Sequence, residues 1–317
     1  MYCPRYQHFL RINVDGYGLC GHMVNAPTFD TVDKVQAWGA ELQLQKTPDV
    51  CIRCYESEKI NNTSIRLNAI DRHKILKKIR EDYLIIGGTI DNYCNSACLT
   101  CSPHLSTKIS KLLETNTVNN NYHFYKQLPH DRIIELDING GEPTYSKNYR
   151  HLLDNLPQNV KIIRINTNGS KYFSKVEELL QRNIKVIITL SLDGTEEVHN
   201  FVRWPIKWET YKATIEKYLN LKDCYSNLSL DFWTTLSALN LKDFQNILNY
   251  ANLCGIPHQY GLLKTPDVLN IKYKNSFTNC DVVNELTTVV GTDIDNNKEI
   301  NEFVMKQAQI RGIKWQL

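Results

Sequence analysis

The chain has 317 residues, 42% of them apolar and 22% charged, which suits one large core plus a small appendage. Lys and Arg total 37 against 34 Asp and Glu, a net charge of +3 that argues against a dedicated nucleic-acid binder, because neutralising phosphates takes concentrated cations. No apolar run approaches the roughly 18–20 residues of a membrane span. The start, Met1-Tyr2-Cys3-Pro4-Arg5, lacks a signal-peptide stretch and predicts a cytoplasmic chain. In a reducing compartment its ten cysteines point to metal or redox chemistry rather than disulfides.

Residues 1–65 read as loop-rich, with a strand over 9–14 ended by the Asp15-Gly16 turn signal; Cys3, Cys20, Cys51 and Cys54 fall within them. From 71 to 83 the pattern turns helical, with Ile70, Leu76 and Ile79 set against Lys74, Lys77, Lys78 and Arg80, a solvated basic face. A strand over 83–86 leads through Gly87-Gly88 into a second thiol group, Cys94, Cys98 and Cys101, and a helix is predicted near 104–114. Further strands are predicted over 132–138, 160–165 and 184–190. They end at Asn139-Gly140-Gly141-Glu142-Pro143, Asn166-Thr167-Asn168-Gly169 and Ser191-Leu192-Asp193-Gly194. Between the last two, a helix begins near Ser174, with Glu177 three residues on as a capping box. Two more strands are expected over 228–236 and 256–263. Ile300, Phe303, Val304 and Ala308 predict a helix over 297–311 that closes the open side of the fold.

Strands separated by helices imply parallel pairing through right-handed crossovers. About six such units fit either an incomplete (β/α) barrel or an open doubly wound sheet, and periodicity alone does not choose. In both, ligands bind at the carboxyl ends of the strands. The thiol group and the three glycine-bearing turns all follow successive strands, so they predict one site assembled on one rim.

Cys94-Asn95-Ser96-Ala97-Cys98-Leu99-Thr100-Cys101 packs three thiols into eight residues, as an iron–sulfur centre requires. Three ligands leave one iron of a [4Fe–4S] cluster open, whereas structural zinc takes a closed set of four. A zinc site completed by His104, or incidental core cysteines, is the alternative. With the Gly140-Gly141-Glu142-Pro143 turn after the next strand, this spacing resembles the signature of the radical S-adenosylmethionine (SAM) superfamily over roughly residues 83–265. The resemblance implies an α/β fold, an incomplete (β/α)6 TIM-like barrel, here with a small N-terminal loop-rich metal-cluster domain. It further implies that the open iron chelates SAM, whose reductive cleavage yields a 5′-deoxyadenosyl radical for hydrogen abstraction.

By the same resemblance, Gly140, Gly141 and Glu142 receive the methionine amino group, and Thr167 and Asn168 contact the ribose or carboxylate. Ser191, Asp193, Gly194, His199 and Arg203 match a stretch of members that modify peptides or proteins, with Ser191 on the ribose and Arg203 on the SAM carboxylate. A surface ion pair of Arg203 with Glu196 or Glu197 is the plainer alternative. The residue before the last cysteine, often an adenine-stacking aromatic in this superfamily, is Thr100 here, leaving Tyr93 as the candidate. Cys3, Cys20, Cys51 and Cys54 look like a twitch-type relative of SPASM auxiliary-cluster domains, placed before the barrel instead of after it. They would hold a second [4Fe–4S] cluster, with tetrahedral zinc or unligated thiols as alternatives.

Cys224, Cys254 and Cys280 read as buried small hydrophobes, with Cys280 a hydrogen-atom donor at most. Asp231 reads as a structural carboxylate or a base in the barrel lumen. The expected division is 1–70 for the auxiliary-cluster segment, 71–265 for the barrel and 266–317 for a C-terminal extension packing on it. The expected partners are a peptide or protein substrate and a flavodoxin- or ferredoxin-type electron donor. A small metabolite or nucleotide substrate, or a non-catalytic iron–sulfur or zinc protein, are the competing functions.

Overall fold

The structure, a computed structural model, describes residues 2–271 and 298–313. Its centre is one eight-stranded sheet of β1 (Phe9–Asn13), β2 (Gly16–Gly18), β3 (Leu84–Thr89), β4 (Ile133–Asn139), β5 (Ile162–Thr167), β6 (Lys185–Ser191), β7 (Leu228–Leu236) and β8 (His258–Leu262). The spatial order is β2-β1-β3-β4-β5-β6-β7-β8. All neighbours pair in parallel except the β1–β2 hairpin.

That order decides what periodicity left open. A doubly wound sheet reverses its strand order at a switch point. Here each crossover steps the same way from β3 to β8, which puts the connecting helices on one face and leaves the other concave. Burial follows. Leu136, Ile138, Ile163, Ile165, Val186, Ile188, Leu230 and Phe232 join the main core with Leu152, Val176, Leu179, Ile215 and Ile247 of the helices. The alternate residues Asp137, Arg164, Asn166 and Thr189 line the concave face. The six strands β3 to β8 form the partial barrel.

The N-terminal residues carry more regular structure than their sequence suggests. They hold α1 (Arg5–His8), α2 (Val32–Leu44), α3 (Ile52–Asn61) and the start of α4 (Ile65–Ile79). The buried stripe of α2 is narrow, only Val35, Gly39 and Leu42, so it gives little amphipathic signal. Nor is β1 a stray strand: it pairs in parallel with β3, Phe9 beside Ile85 and Ile12 beside Gly88. A smaller apolar cluster of Phe9, Leu76, Tyr83, Ile85 and Ile134 brings α4 against the concave side.

Gly88 makes the β1–β3 pairing possible. Its φ is +101°, and a Cβ there would stand 2.1 Å from the Ile12 carbonyl oxygen. Gly88→Ala is therefore expected to cost about 3 kcal/mol or more, since it combines a forbidden dihedral with a backbone clash. Urea unfolding checks this; a loss under about 0.5 kcal/mol, typical of an inert surface change, would contradict it.

Other local expectations resolve individually. α8 (Lys175–Gln181), numbered after α5 (Thr107–Leu112), α6 (Tyr122–Lys126) and α7 (Lys147–Asp154), starts after Ser174 as expected. Ser174 makes no side-chain cap, however, because its backbone is already helical. Glu177 accepts a hydrogen bond from the Tyr172 hydroxyl instead of closing a capping box. The remaining helices among the described residues are α9 (Glu196–Val202), α10 (Trp208–Cys224), α11 (Phe244–Cys254) and α12 (Lys298–Arg311). α12 buries Ile300, Val304, Ala308 and Arg311. Cys224 is exposed and Cys254 half-buried, so Cys224 is no core residue; it ends α10, where the helix runs out into solvent. Cys280 lies outside the described residues. No described helix is long and apolar enough to cross a membrane.

Candidate functional site

The loop after β3 carries Cys94, Cys98 and Cys101, and its backbone is fixed from several directions. Ala97 N donates to Trp204 O at 2.8 Å and Leu99 N to Val202 O at 2.9 Å, anchoring it on the end of α9. Arg311 Nε of α12 donates to Ala97 O at 2.9 Å. Cys94 Sγ lies 3.2 Å and Cys98 Sγ 3.5 Å from the same atom, Ser96 Oγ, so the two sulfurs flank one hydroxyl. Burial raises the Cys94 thiol and pushes Cys101 up to about 12, with neighbouring Cys98 adding to both. Ligation would release those protons.

The turn after β4 docks directly on this loop. Gly141 N donates to Asp91 O at 3.1 Å and Glu142 N to Tyr93 O at 2.8 Å. Only glycine permits the approach: a Cβ on Gly141 would sit 2.3 Å from the Tyr93 carbonyl oxygen. Glu142 is buried, and burial raises its carboxyl against the hydrogen bonds it accepts. Thr144 N, Thr144 Oγ1 and Thr167 Oγ1 donate to one oxygen at 3.1, 2.9 and 2.7 Å. Asn168 N donates to the other at 2.7 Å. Asn168 Nδ2 reaches on to Asn95 Oδ1 at 2.9 Å and Ser96 Oγ at 3.3 Å. The ends of β3, β4 and β5 are thus tied into one unit.

Further round the rim, Ser191 ends β6 and stands level with Trp233 of β7. Arg203 is buried, and its partner is neither Glu196 nor Glu197 but Asp193, at 2.8 Å. The reason is topological. Asp193 ends the β6 turn with Thr235 N donating to its other oxygen at 2.7 Å, while Glu196 and Glu197 sit in the first turn of α9. Arg203 also lies within electrostatic range of Cys98 and Cys101. His199 beside it is fully buried and held neutral, its pKa lowered to about 3 by desolvation and the Arg203 charge.

Several of these residues carry no sequence signature. Asp91 is fully buried and raised by burial; it accepts from Ser146 Oγ, Asn148 Nδ2 and Tyr93 N, and so links the thiol loop to the start of α7. Its place two residues past β3 was the available hint. Asn92, Ser96 and Arg311 were equally silent.

Cys3, Cys20, Cys51 and Cys54 line one small pocket together with Arg5, Tyr6, Ile65 and Arg66. Cys3 follows from the N-terminus into α1, Cys20 from the β1–β2 hairpin, and Cys51 and Cys54 from the start of α3. Tyr6 Oη lies 3.1 Å from Cys51 Sγ, and Arg5 Nη1 donates to Cys20 Sγ at 3.1 Å. Burial pushes Cys3 up to about 12. All four thiols are free of disulfides.

Both thiol groups fit an iron–sulfur cluster in donor type. Among the described residues no three His, Cys, Asp or Glu side chains converge closely enough to hold a single metal ion. A cubane interposes its irons and keeps its sulfurs further apart than one ion does. Beside the three-thiol loop, Asn139 Oδ1 and Arg203 Nε are buried without a partner among the described residues. One is an acceptor suited to an ammonium and the other a donor suited to a carboxylate, the two ends of an amino acid.

Under the concave face lies a cavity of about 560 Å³, lined among others by Arg5, Arg72, Asp137, Arg164, Asn166 and Thr189. Glu135 pairs with Arg72 and, at 2.9 Å, with Arg164. Burial raises Asp137, with Arg164, Arg72 and Arg5 opposing. Asp231, level with Thr189 on the neighbouring strand, is likewise raised by burial, opposed by a Thr189 hydrogen bond and the Arg164 charge.

The model of the Radical SAM superfamily matches residues 89–251. Among solved structures, native anSMEcpe with bound AdoMet and Kp18Cys peptide is 17% identical, with 58% of this chain and 52% of that chain covered at a TM-score of 0.41. Streptococcus suis SuiB bound to S-adenosylmethionine is 13% identical, with 90% and 69% covered at 0.46. SuiB bound to its precursor peptide SuiA is 14% identical, with 93% and 71% covered at 0.45. The chain spans about half the length of anSMEcpe. No curated protein sequence matches it.

Proposed function

The chain belongs to the Radical SAM superfamily, and from that premise we propose that it is an enzyme that cleaves SAM reductively to abstract hydrogen from a peptide or protein substrate. The observation that carries this reading is the union of the Cys94–Cys98–Cys101 loop with the Gly141–Glu142 turn and Asn168, three strand ends locked into one rim. A [4Fe–4S] cluster with SAM on its open iron supplies the radical chemistry when bound.

The chain's own residues do the rest. Cys94, Cys98 and Cys101 would hold the cluster and would leave one iron free for the methionine end of SAM. Asn139 Oδ1 and the Gly140–Gly141 backbone offer acceptors to its amino group, with Glu142 bracing the turn. Arg203, compensated by Asp193, offers Nε to its carboxylate. Thr167, Asn168 and Ser191 stand along the rim for the ribose, and Tyr93 for the adenine. The cavity on the concave face receives the substrate, its volume being that of a small-molecule or single side-chain site. The Ser191-Leu192-Asp193-Gly194…His199…Arg203 stretch supports a peptide or protein as the molecule presenting that group, with a flavodoxin- or ferredoxin-type donor supplying electrons.

Residues 1–70 form the second-cluster segment in this reading, 71–265 the barrel and 266–317 a C-terminal extension, of which 272–297 and 314–317 lie outside the described residues. Four thiols around one pocket support a second [4Fe–4S] cluster. The test is anaerobic reconstitution with iron and sulfide, then SAM and dithionite. 5′-Deoxyadenosine is expected in amounts that grow with cluster loading. A fully loaded sample that forms none would overturn the proposal.

A further inference from the structure

Two features described separately share a wall. Arg5 and Ile65 line both the four-thiol pocket and the concave-face cavity. Ile65 is an apolar side chain at the first position of α4, so of the two only Arg5 carries charge between the compartments. The Arg5 guanidinium is held in place twice: Nη1 donates to Cys20 Sγ at 3.1 Å, and the group lies over the Phe9 ring, 4.0 Å from its centroid. Phe9 belongs to the small cluster that floors the cavity, so the same side chain is anchored on the barrel and bonded to a thiol. On the other side Arg5 lies within electrostatic range of Asp137, with which it lines the cavity.

Hydrogen bonds to cluster sulfurs and nearby positive charge both favour the reduced, more negative state of an iron–sulfur centre, and so raise its potential. Arg5 supplies both at Cys20. Arg11 lies within electrostatic range of the same sulfur, but Arg5 alone also borders the cavity. We propose that Arg5 is a positioning residue that joins the cavity to the four-thiol site and holds up the reduction potential of the cluster bound there. The inference rests on the reading that those four thiols carry a second [4Fe–4S] cluster.

The test uses the full chain, loaded anaerobically, with SAM added so that the signal from the three-cysteine site is recognised by its response. The remaining, SAM-insensitive signal is titrated against potential by electron paramagnetic resonance, in the unaltered protein and in Arg5→Met. The substitution is expected to lower the reduced-to-oxidised ratio at fixed potential about tenfold, a shift of about 59 mV to more negative values for one electron. If Arg5→Met loses iron, Arg5→Gln, which keeps a donor and removes the charge, replaces it and is expected to shift the same way by less. A fully loaded variant with an unmoved potential overturns the role of Arg5 while leaving the second cluster standing. About four irons per chain and no SAM-insensitive signal in the unaltered protein would instead overturn the second cluster, and the proposal with it.

Discussion

Cys98→Ala is expected to abolish 5′-deoxyadenosine formation and to remove about four of about eight irons per chain, because two thiols cannot hold a cubane that three secure. The loss should exceed the roughly 10–100-fold that follows from altering a residue which merely supports a ligand. Ser96→Ala belongs to that milder class: Ser96 Oγ sits between Cys94 and Cys98 and accepts from Asn168 Nδ2, but it is not itself a thiolate. The fold should survive Cys98→Ala. The loop's backbone bonds from Ala97 and Leu99 to Trp204 and Val202 do not involve the thiol. Iron content, circular dichroism and product chromatography together check this. Retained activity with full iron would show that another ligand takes the place of Cys98.

The paired substitution Cys51→Ala and Cys54→Ala is expected to act on the other site alone. Iron should again fall by about four per chain, while the signal that responds to SAM persists. Stability should fall as well. A structural metal centre contributes folding energy directly, and α3 offers little core of its own, Cys54 and Tyr55 being its buried apolar side chains. A lowering of the thermal midpoint by roughly 5 °C or more is expected, from about 2–4 °C per kcal/mol for a chain of this class. β1 should hold its place, since its bonds to β3 and its residues Leu10 and Ile12 in the main core are untouched. An unchanged iron count would contradict the four-thiol assignment.

Much of this was legible because parallel barrels write themselves plainly. β4, β5 and β6 are short runs rich in branched apolar residues that end in polar, glycine-bearing turns, and the six predicted runs overlap the six observed strands from β3 to β8. The order of strands was not legible, since handedness and direction of winding leave no local trace. The pairing of β1 with β3 was hidden for the same reason: five residues can predict a strand but not a neighbour some seventy residues away. α2 escaped because its buried stripe is thin, and the capping box at Ser174 failed because a tertiary partner, Tyr172, claimed Glu177.

At the site, thiol spacing carried the reading, while the residues that brace it did not announce themselves. Asp91, Asn92 and Ser96 are ordinary polar residues in a loop until the turn after β4 folds onto them. Arg203 was identified from its motif, yet its ion-pair partner, ten positions earlier in the same motif, emerged only once the β6 turn and α9 were placed.

Electron paramagnetic resonance of the dithionite-reduced, iron-loaded chain, recorded with and without SAM, bears most directly on the open coordination corner. One signal is predicted to change shape when SAM is added and to be missing from Cys98→Ala. Spectra that superimpose with and without SAM, in a sample whose iron content is full, would contradict the account.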